Sequence, residues 1–396
     1  MPKMNHRLLA AALRWQDVLM ADRWVLVGGG VAGCVVAARL AAVGADVILL
    51  EQGVDGATPD DLHEAAQVPG RTMPGMRAQR VDDGPYVPYT SGSGLGGGSS
   101  INPGFASNAG PFHHSHQLPI EGQGRRQRVR QQGSRASVSD VYLRNSGLLD
   151  RIEVRTEATV DQVVVEDGQA RGVALSESGV IEAHQVVMCA GALVSPAMLM
   201  RSGVVSAGLG SRLQDHPSVA LRYRNNEGLP SAACDVERSG AIQIMTTVVG
   251  DEIWVVPALM RPSSLGVIEL DENGNADIRF QLCQAEAERA LLADAVANLV
   301  AANTHRESID APEVDEVSDW MMHQVASVTP VYSHATGGCP MGAVSDRCGR
   351  VNDVAGLFVV DSSVFPAVPS VNPMVPTVQL AETITHRWLA EGLVAN

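Results

Sequence analysis

Residues 24–53, WVLVGGGVAGCVVAARLAAVGADVILLEQG, decide the fold. Trp24–Val27 is a short apolar run that predicts a strand, and Gly28-x-Gly30-x-x-Gly33 follows it at once. Ala32 to Val43 is alanine-rich and, beyond Gly33, free of Gly and Pro, which predicts a helix that Gly44 stops. Ala45–Leu50 predicts a second strand, ending in Glu51. A G-x-G-x-x-G is weak alone; between a strand and a helix, with an acid after the next strand, it reads as a dinucleotide-binding unit. Gly28 permits the turn, Gly30 lets the backbone approach a pyrophosphate, and Gly33 lets helix pack on strand. The helix start at Val31 and Ala32 offers amides and a partial positive charge to the anion. Glu51 is placed to accept hydrogen bonds from both ribose hydroxyls of an adenosine, where its charge repels a 2′-phosphate. This unit does not separate FAD from NAD.

The totals bound the rest. The chain has 396 residues, enough for two or three domains, and 45% of them are hydrophobic, the composition of a globular protein. Its net charge of −15 argues against a nucleic-acid partner. Cys34, Cys189, Cys234, Cys283, Cys339 and Cys348 lack paired spacing, so neither a zinc knuckle nor a disulfide framework is indicated. Buried, reduced thiols in a cytoplasmic protein are the expectation. The apolar N-terminal run is broken by Arg14 and Asp17, too short for a secretory segment or a membrane span, and Met1, Met4 and Met20 are all possible starts.

A second glycine cluster, GSGLGGGSSIN (92–102), reads by composition alone either as a linker or as a cradle for a phosphate-bearing group. Near the C-terminus stand SHATGGCPMG (333–342) and GLFVVDSSVFPAVPSVNPMVPTVQLAETITHRWL (356–389). The latter predicts a strand over Leu357–Val360, an aspartate directly after it, a Pro-punctuated loop and a helix from about Val375. Asp361 is placed to orient backbone or hold a cofactor hydroxyl, and Pro373 restrains Asn372.

These stretches resemble the glucose–methanol–choline (GMC) oxidoreductases, a family of flavoenzymes. The resemblance rests on the N-terminal dinucleotide unit, GLGGGSSIN, AGALVSPAMLMRSGV (190–204) with LQDHP (213–217), and the C-terminal His/Asn pair. GSRASVSDVYL (133–143) and RTEATVDQVVVEDGQARGVAL (155–175) are similar to the family's middle section. The resemblance implies an α/β fold: a Rossmann-like FAD-binding domain from residues 1–217 and 330–396, with a compact α+β substrate-binding domain, 218–329, inserted. It implies FAD held by Gly28, Gly30, Val31, Ala32, Glu51, Gly96, Gly97, Ser100, Asn102, Val160, Asp361 and Pro373. Residues 94–102 become a wrap around the flavin, their amides a nest for the pyrophosphate.

The implied reaction is oxidation of an alcohol to a carbonyl, with hydride transfer to flavin N5 and His334 as the base. Asn372 matches the second active-site position, where an amide can donate a hydrogen bond to a developing alkoxide. The implied acceptor is oxygen, a quinone or a redox carrier. A GMC-type hydroxynitrile lyase and a partner-dependent or non-catalytic flavoprotein stay open as alternatives. Ile101 stands where some members carry a flavin-linking His, so the FAD is expected to be non-covalent. Gly98, Val205 and Gly338 also depart from the family's usual residues. The stretch between Asn102 and Gly133 and the region 218–329 are short for the family, which leaves the shape of the lid open.

Other features have plainer readings. His113, His114 and His116 form a polar-loop tract without carboxylate partners, so no metal is expected. Arg125, Arg126, Arg128, Arg130 and Arg135 read as a solvated face, and His216 as a structural position. Five each of Phe, Tyr and Trp cannot line a pocket generously, which favours an aliphatic or small alcohol.

Overall fold

The computed structural model describes residues 22–394 except 57, 61–67, 107–115, 122–126, 178, 231–233 and 329–331. The alternative starts and the N-terminal segment lie outside the described residues, as do His113, His114, Arg125 and Arg126.

The decisive stretch folds as read. A strand at Arg23–Val27 (β1), a helix at Val31–Ala42 (α1) and a strand at Asp46–Leu50 (β2) form the unit. Apolar residues fill both strands because both faces of a parallel sheet are covered. The sheet has five parallel strands in the order 357–359, 185–188, β1, β2, 153–155. Its order reverses direction about β1, so the loops after the strands ending at Val27, Met188 and Val359 open at one edge, where such folds bind ligands.

The C-terminal helix, Met374–Ala390, packs against α1. Trp388 lies 5.2 Å from Trp24 and 5.0 Å from Phe358, ring centroid to centroid, tying the last helix to the first strand. Arg39 on α1 adds a two-pronged ion pair to the buried Glu382, 2.7 and 2.6 Å, and Tyr142 donates to the same carboxylate at 2.7 Å. This anchorage fixes the approach of the loop carrying Asn372.

A second core lies under two other sheets. One is antiparallel, ordered 221–224, 252–259, 242–249, 234–239. The other joins 211–213, 266–270 and 276–279 to 77–79 and 86–88, so residues early in the chain complete a sheet begun after residue 210. The stretch 257–282 therefore divides between two sheets, with its turn at Asp271–Asn275. A helix at Glu286–Ala302 sends Leu292 and Val296 into this core beside Met321 and Val325 of the helix Val317–Ser327. Among the described residues no helix is long and apolar enough to cross a membrane.

Candidate active site

A cavity of about 1210 Å³ opens at the strand ends and runs toward the antiparallel sheet. It exceeds the roughly 300–1,000 Å³ typical of a single small-ligand pocket. Of the residues proposed from sequence, Gly28, Gly30, Val31, Ala32, Glu51, Gly97, Asn102, Val160, Asp361, Pro373, His334 and Asn372 all line it. Gly96 and Ser100 do not. Gly96 donates to the Gly29 carbonyl at 2.8 Å, and the buried Ser100 hydroxyl donates to the Gly97 carbonyl at 2.7 Å, so both shape the loop rather than face the cavity.

The glycines separate packing from binding. A Cβ on Gly28, at φ +105°, would meet the Cys189 carbonyl oxygen at 2.6 Å, and one on Gly33 would meet the Gly28 oxygen at 2.0 Å. Packing alone requires both. A Cβ on Gly30 meets nothing nearer than 3.9 Å, so the protein's own packing does not demand glycine there, and the position lines the cavity. The helix that starts at Val31 has no side-chain cap, which leaves its first amides for a ligand. These residues fit a pyrophosphate.

Two expectations change in detail. The amides of Gly96, Gly97, Ser99, Ser100 and Asn102 bond within the first glycine loop and their own turn, so that segment is not an open nest. It instead lays its backbone on the first loop, where a Cβ on Gly97 would meet the Gly30 Cα at 2.9 Å. Glu51 receives amides from Gly29 (2.7 Å), Gly53 (2.8 Å) and Gly94 (2.9 Å), binding both glycine segments together and keeping about one lone-pair direction for a ribose hydroxyl. Asp361 similarly accepts from Gly191, Ser195 and Ser363, and burial raises its pKa.

The basic run is not a solvated face where it is described. Arg128, Arg130 and Arg135 line the cavity because the short strands around 128–135 lie along its wall. Arg128 sits 4.9 Å over the Phe105 ring, and Arg135 reaches the carbonyls of Ser100 and Asn102. Three aromatics, Tyr89, Phe105 and Trp254, are in the lining.

His334 and His216 form the most constrained polar contact. His216 Nε2 lies 3.1 Å from the Pro369 carbonyl oxygen, which can only accept, so Nε2 carries the hydrogen. His216 Nδ1 is then a lone pair, and it faces His334 Nδ1 at 2.9 Å. His334 Nδ1 must donate, which leaves the lone pair on Nε2. This tautomer assignment follows from the network. Burial holds His334 well below the usual imidazole pKa, with His216 adding to the effect, and pushes His216 down to about 3.

Asp215 supports both rings from the backbone side. Its Oδ1 accepts the amides of His216 at 2.7 Å and His334 at 2.9 Å, and its Oδ2 accepts from Tyr89 at 2.6 Å. Burial raises its pKa to about 6. Asn372, partly exposed to the cavity, turns its Oδ1 toward Gln243 Nε2 at 3.1 Å. Sequence reasoning missed Gln243, Tyr332 and the role of Asp215; LQDHP gave a signal for the last, but nothing local marks Gln243.

The fold and site define a dinucleotide-binding protein with a His/Asn pair at the far end of its cofactor cavity. Two profiles described as GMC oxidoreductase match residues 113–218 and 262–381, together more than half of the chain, and the chain belongs to that family. Its cofactor is FAD, which the cradle fits. The chain is 29% identical over 283 residues to an uncharacterized GMC-type oxidoreductase of Rhodococcus erythropolis, covering 59% of this chain and 56% of that protein. It is 27% identical over 345 residues to an oxygen-dependent choline dehydrogenase of Chromohalobacter salexigens, covering 65% and 61%. The chain thus spans about six-tenths of the length of these curated relatives. Pyridoxine 4-oxidase from Mesorbium loti shares the fold, with TM-score 0.78 and 19% identity over 93% of this chain and 99% of that one. Aspergillus oryzae formate oxidase does so at TM-score 0.78 and 16% identity, over 94% and 99%.

Proposed function

We propose that this protein is an FAD-dependent oxidoreductase that oxidises an alcohol to a carbonyl, with 1–217 and 330–396 forming the cofactor unit and 218–329 the substrate unit. The observation that carries this reading is the complementary pair at the cavity. His334 offers a lone pair at Nε2 because its Nδ1 hydrogen is committed to His216. Asn372 offers an N–H at Nδ2 because its Oδ1 is committed to Gln243. A hydroxyl group has one hydrogen to give and an oxygen to receive, so one bound between the two side chains would satisfy both.

His334 Nε2 takes the hydroxyl proton, while Asn372 Nδ2 donates to the oxygen as negative charge develops. FAD, when bound, would supply the acceptor for the hydride that leaves the carbinol carbon. The low pKa of His334 keeps the base neutral at physiological pH, so the lone pair is available without prior deprotonation. Ile101 lines the cavity and carries no nucleophilic atom, which supports non-covalent FAD. Arg128 over Phe105 and the nearby Trp254 favour a substrate with flat or apolar surface over the small aliphatic alcohol expected from composition.

The test is the visible spectrum of the purified protein under anaerobic conditions while primary and secondary alcohols are added. Bleaching of the flavin by one of them supports the reading. A bound flavin that no alcohol bleaches overturns it and favours a redox-silent reaction or a missing partner.

A further inference from the structure

We infer that Gln243 is a positioning residue that sets the direction of the Asn372 amide, and that Arg238 sets Gln243 in turn. The inference rests on the proposed function for its consequence in catalysis, but its geometry stands apart from it. Gln243 is fully buried on the strand Ile242–Val249 of the substrate-side sheet, remote in sequence from both candidate catalytic residues.

An amide side chain is ambiguous by itself, because its oxygen and nitrogen ends are nearly the same shape. Here the ambiguity is removed by a group that has only one polarity. The Arg238 guanidinium can only donate, and its Nε lies 3.2 Å from Gln243 Oε1. The Gln243 nitrogen must therefore face the other way. There it donates to the Tyr332 hydroxyl at 2.8 Å and to Asn372 Oδ1 at 3.1 Å, using both hydrogens. Asn372 is left with its Nδ2 hydrogens toward the cavity. Reversing the Asn372 amide would set two NH₂ groups against each other beside the buried Gln243 and leave a donor unsatisfied.

The same relay touches the base. Tyr332 packs edge-on against His334, ring centroids 4.7 Å apart at 76°, so Gln243 braces the wall beside one candidate catalytic residue and aims the other. The site's polarity is thus set by two inputs. The Pro369 carbonyl, an acceptor, makes His334 present a lone pair; Arg238, a donor, makes Asn372 present a hydrogen.

Gln243→Glu tests this nearly isosterically. A carboxylate keeps the Arg238 contact but offers an acceptor to Asn372, which draws the Nδ2 hydrogens away from the cavity. Four FAD-loaded proteins are compared: wild type, Gln243→Glu, Asn372→Ala and the double variant. Melting temperature and flavin content establish that each is folded and loaded, and Gln243→Met serves as the uncharged substitute if the carboxylate prevents folding. With the alcohol that bleaches the wild type fastest, Asn372→Ala should slow bleaching about 10²-fold, as for loss of one oxyanion donor. Gln243→Glu, measured on its own pH plateau, should slow it comparably, and the double variant should be no slower than Asn372→Ala. A further tenfold loss in the double variant, or a Gln243→Glu enzyme as fast as wild type, overturns the inference.

Acetate, an anion that needs the Asn372 hydrogen, supplies a readout independent of turnover. Its titration against the flavin spectrum should give a Kd about tenfold weaker in Gln243→Glu and Asn372→Ala than in wild type. Equal acetate affinity in all three, or no acetate response in wild type, removes the donor from the cavity and with it the inference. If no alcohol bleaches the wild type but the acetate series behaves as stated, the proposed reaction fails while the positioning role stands.

Discussion

The imidazoles of His216 and His334 meet edge to face, their planes at 90° and their Nδ1 atoms 2.9 Å apart. The contact is an oriented hydrogen bond, because the Pro369 carbonyl fixes which ring donates. His216→Leu removes the acceptor, so His334 loses the partner that holds its hydrogen on Nδ1. Alcohol-dependent bleaching should slow by about 10–10²-fold with flavin content unchanged. A rate unaffected by the substitution would show that the tautomer is held by something else.

His334→Ala removes the base itself. The proposed role predicts a loss of about 10²–10⁴-fold in the bleaching rate, with the protein still yellow. His334→Ala should also lose the acid limb of the rate profile. In wild type, kcat/KM should be level at neutral pH and fall along a single limb with its midpoint below 6.5, since burial disfavours the imidazolium. A bell with two site-sensitive ionisations would contradict a neutral amide at position 372.

The same buried groups tie stability to pH. His216 titrates near 3 in the folded protein and near 6.5 unfolded, and His334 is shifted in the same direction. Unfolding therefore takes up protons below pH 6.5, and stability is lost as pH falls. Asp215 opposes this: with a folded pKa of about 6, it binds a proton that the unfolded chain refuses down to about pH 4. Asp361, whose pKa burial also raises, opposes it in the same way, and each histidine contributes up to one proton of uptake, or about 1.4 kcal/mol per pH unit, to the loss between pH 6 and 4. Denaturant melts across that window check the slope, which should flatten in His216→Leu. A slope of the opposite sign would mean that the aspartates dominate.

Glu382 is the structural counterpart of the proposed active-site pairings. It is buried, and it takes both prongs of Arg39 and the Tyr142 hydroxyl, joining α1 to the helix that begins beside Asn372. Glu382→Ala leaves Arg39 and Tyr142 without their common acceptor. Arg39 keeps a quarter of its side chain exposed, so water recovers part of the loss, and the cost should be about 2–3 kcal/mol. Equilibrium unfolding checks this, and a change below about 0.5 kcal/mol would leave the anchoring role unsupported.

What the sequence disclosed depended on range. β1, α1 and β2 were legible because their signals are local: apolar strands buried on both faces, glycines at a turn, and an acid after the second strand. His334 and Asn372 were legible only through resemblance, since one histidine among eleven carries no local mark. Strands 77–79 and 86–88 were not legible, because they are short and their pair joins its sheet only through Gln79, which meets Arg279 two hundred positions later. The arginines at 128–135 read as solvated since charge alone does not reveal which wall a strand lies against. Gln243 was invisible for a related reason: its function depends on Arg238, Tyr332 and Asn372 meeting around it.

The glycine loop provides the sharpest separation of fold from function. Gly28→Ala puts a Cβ where the Cys189 carbonyl lies and forces a positive φ on a residue that resists it, so the sheet edge must shift. The expected result is a protein that melts lower with or without FAD, by about 1–3 kcal/mol or more. Gly30→Ala meets no protein atom nearer than 3.9 Å and adds its Cβ at the cavity lining, where the proposed pyrophosphate would lie. The apoprotein should melt within about 0.5 kcal/mol of wild type, while the flavin content after purification falls sharply. Apo melts and the ratio of flavin to protein absorbance distinguish the two variants. A Gly30→Ala protein that purifies fully yellow would mean that the cofactor does not press against this turn, and the pyrophosphate would have to lie elsewhere along the cavity.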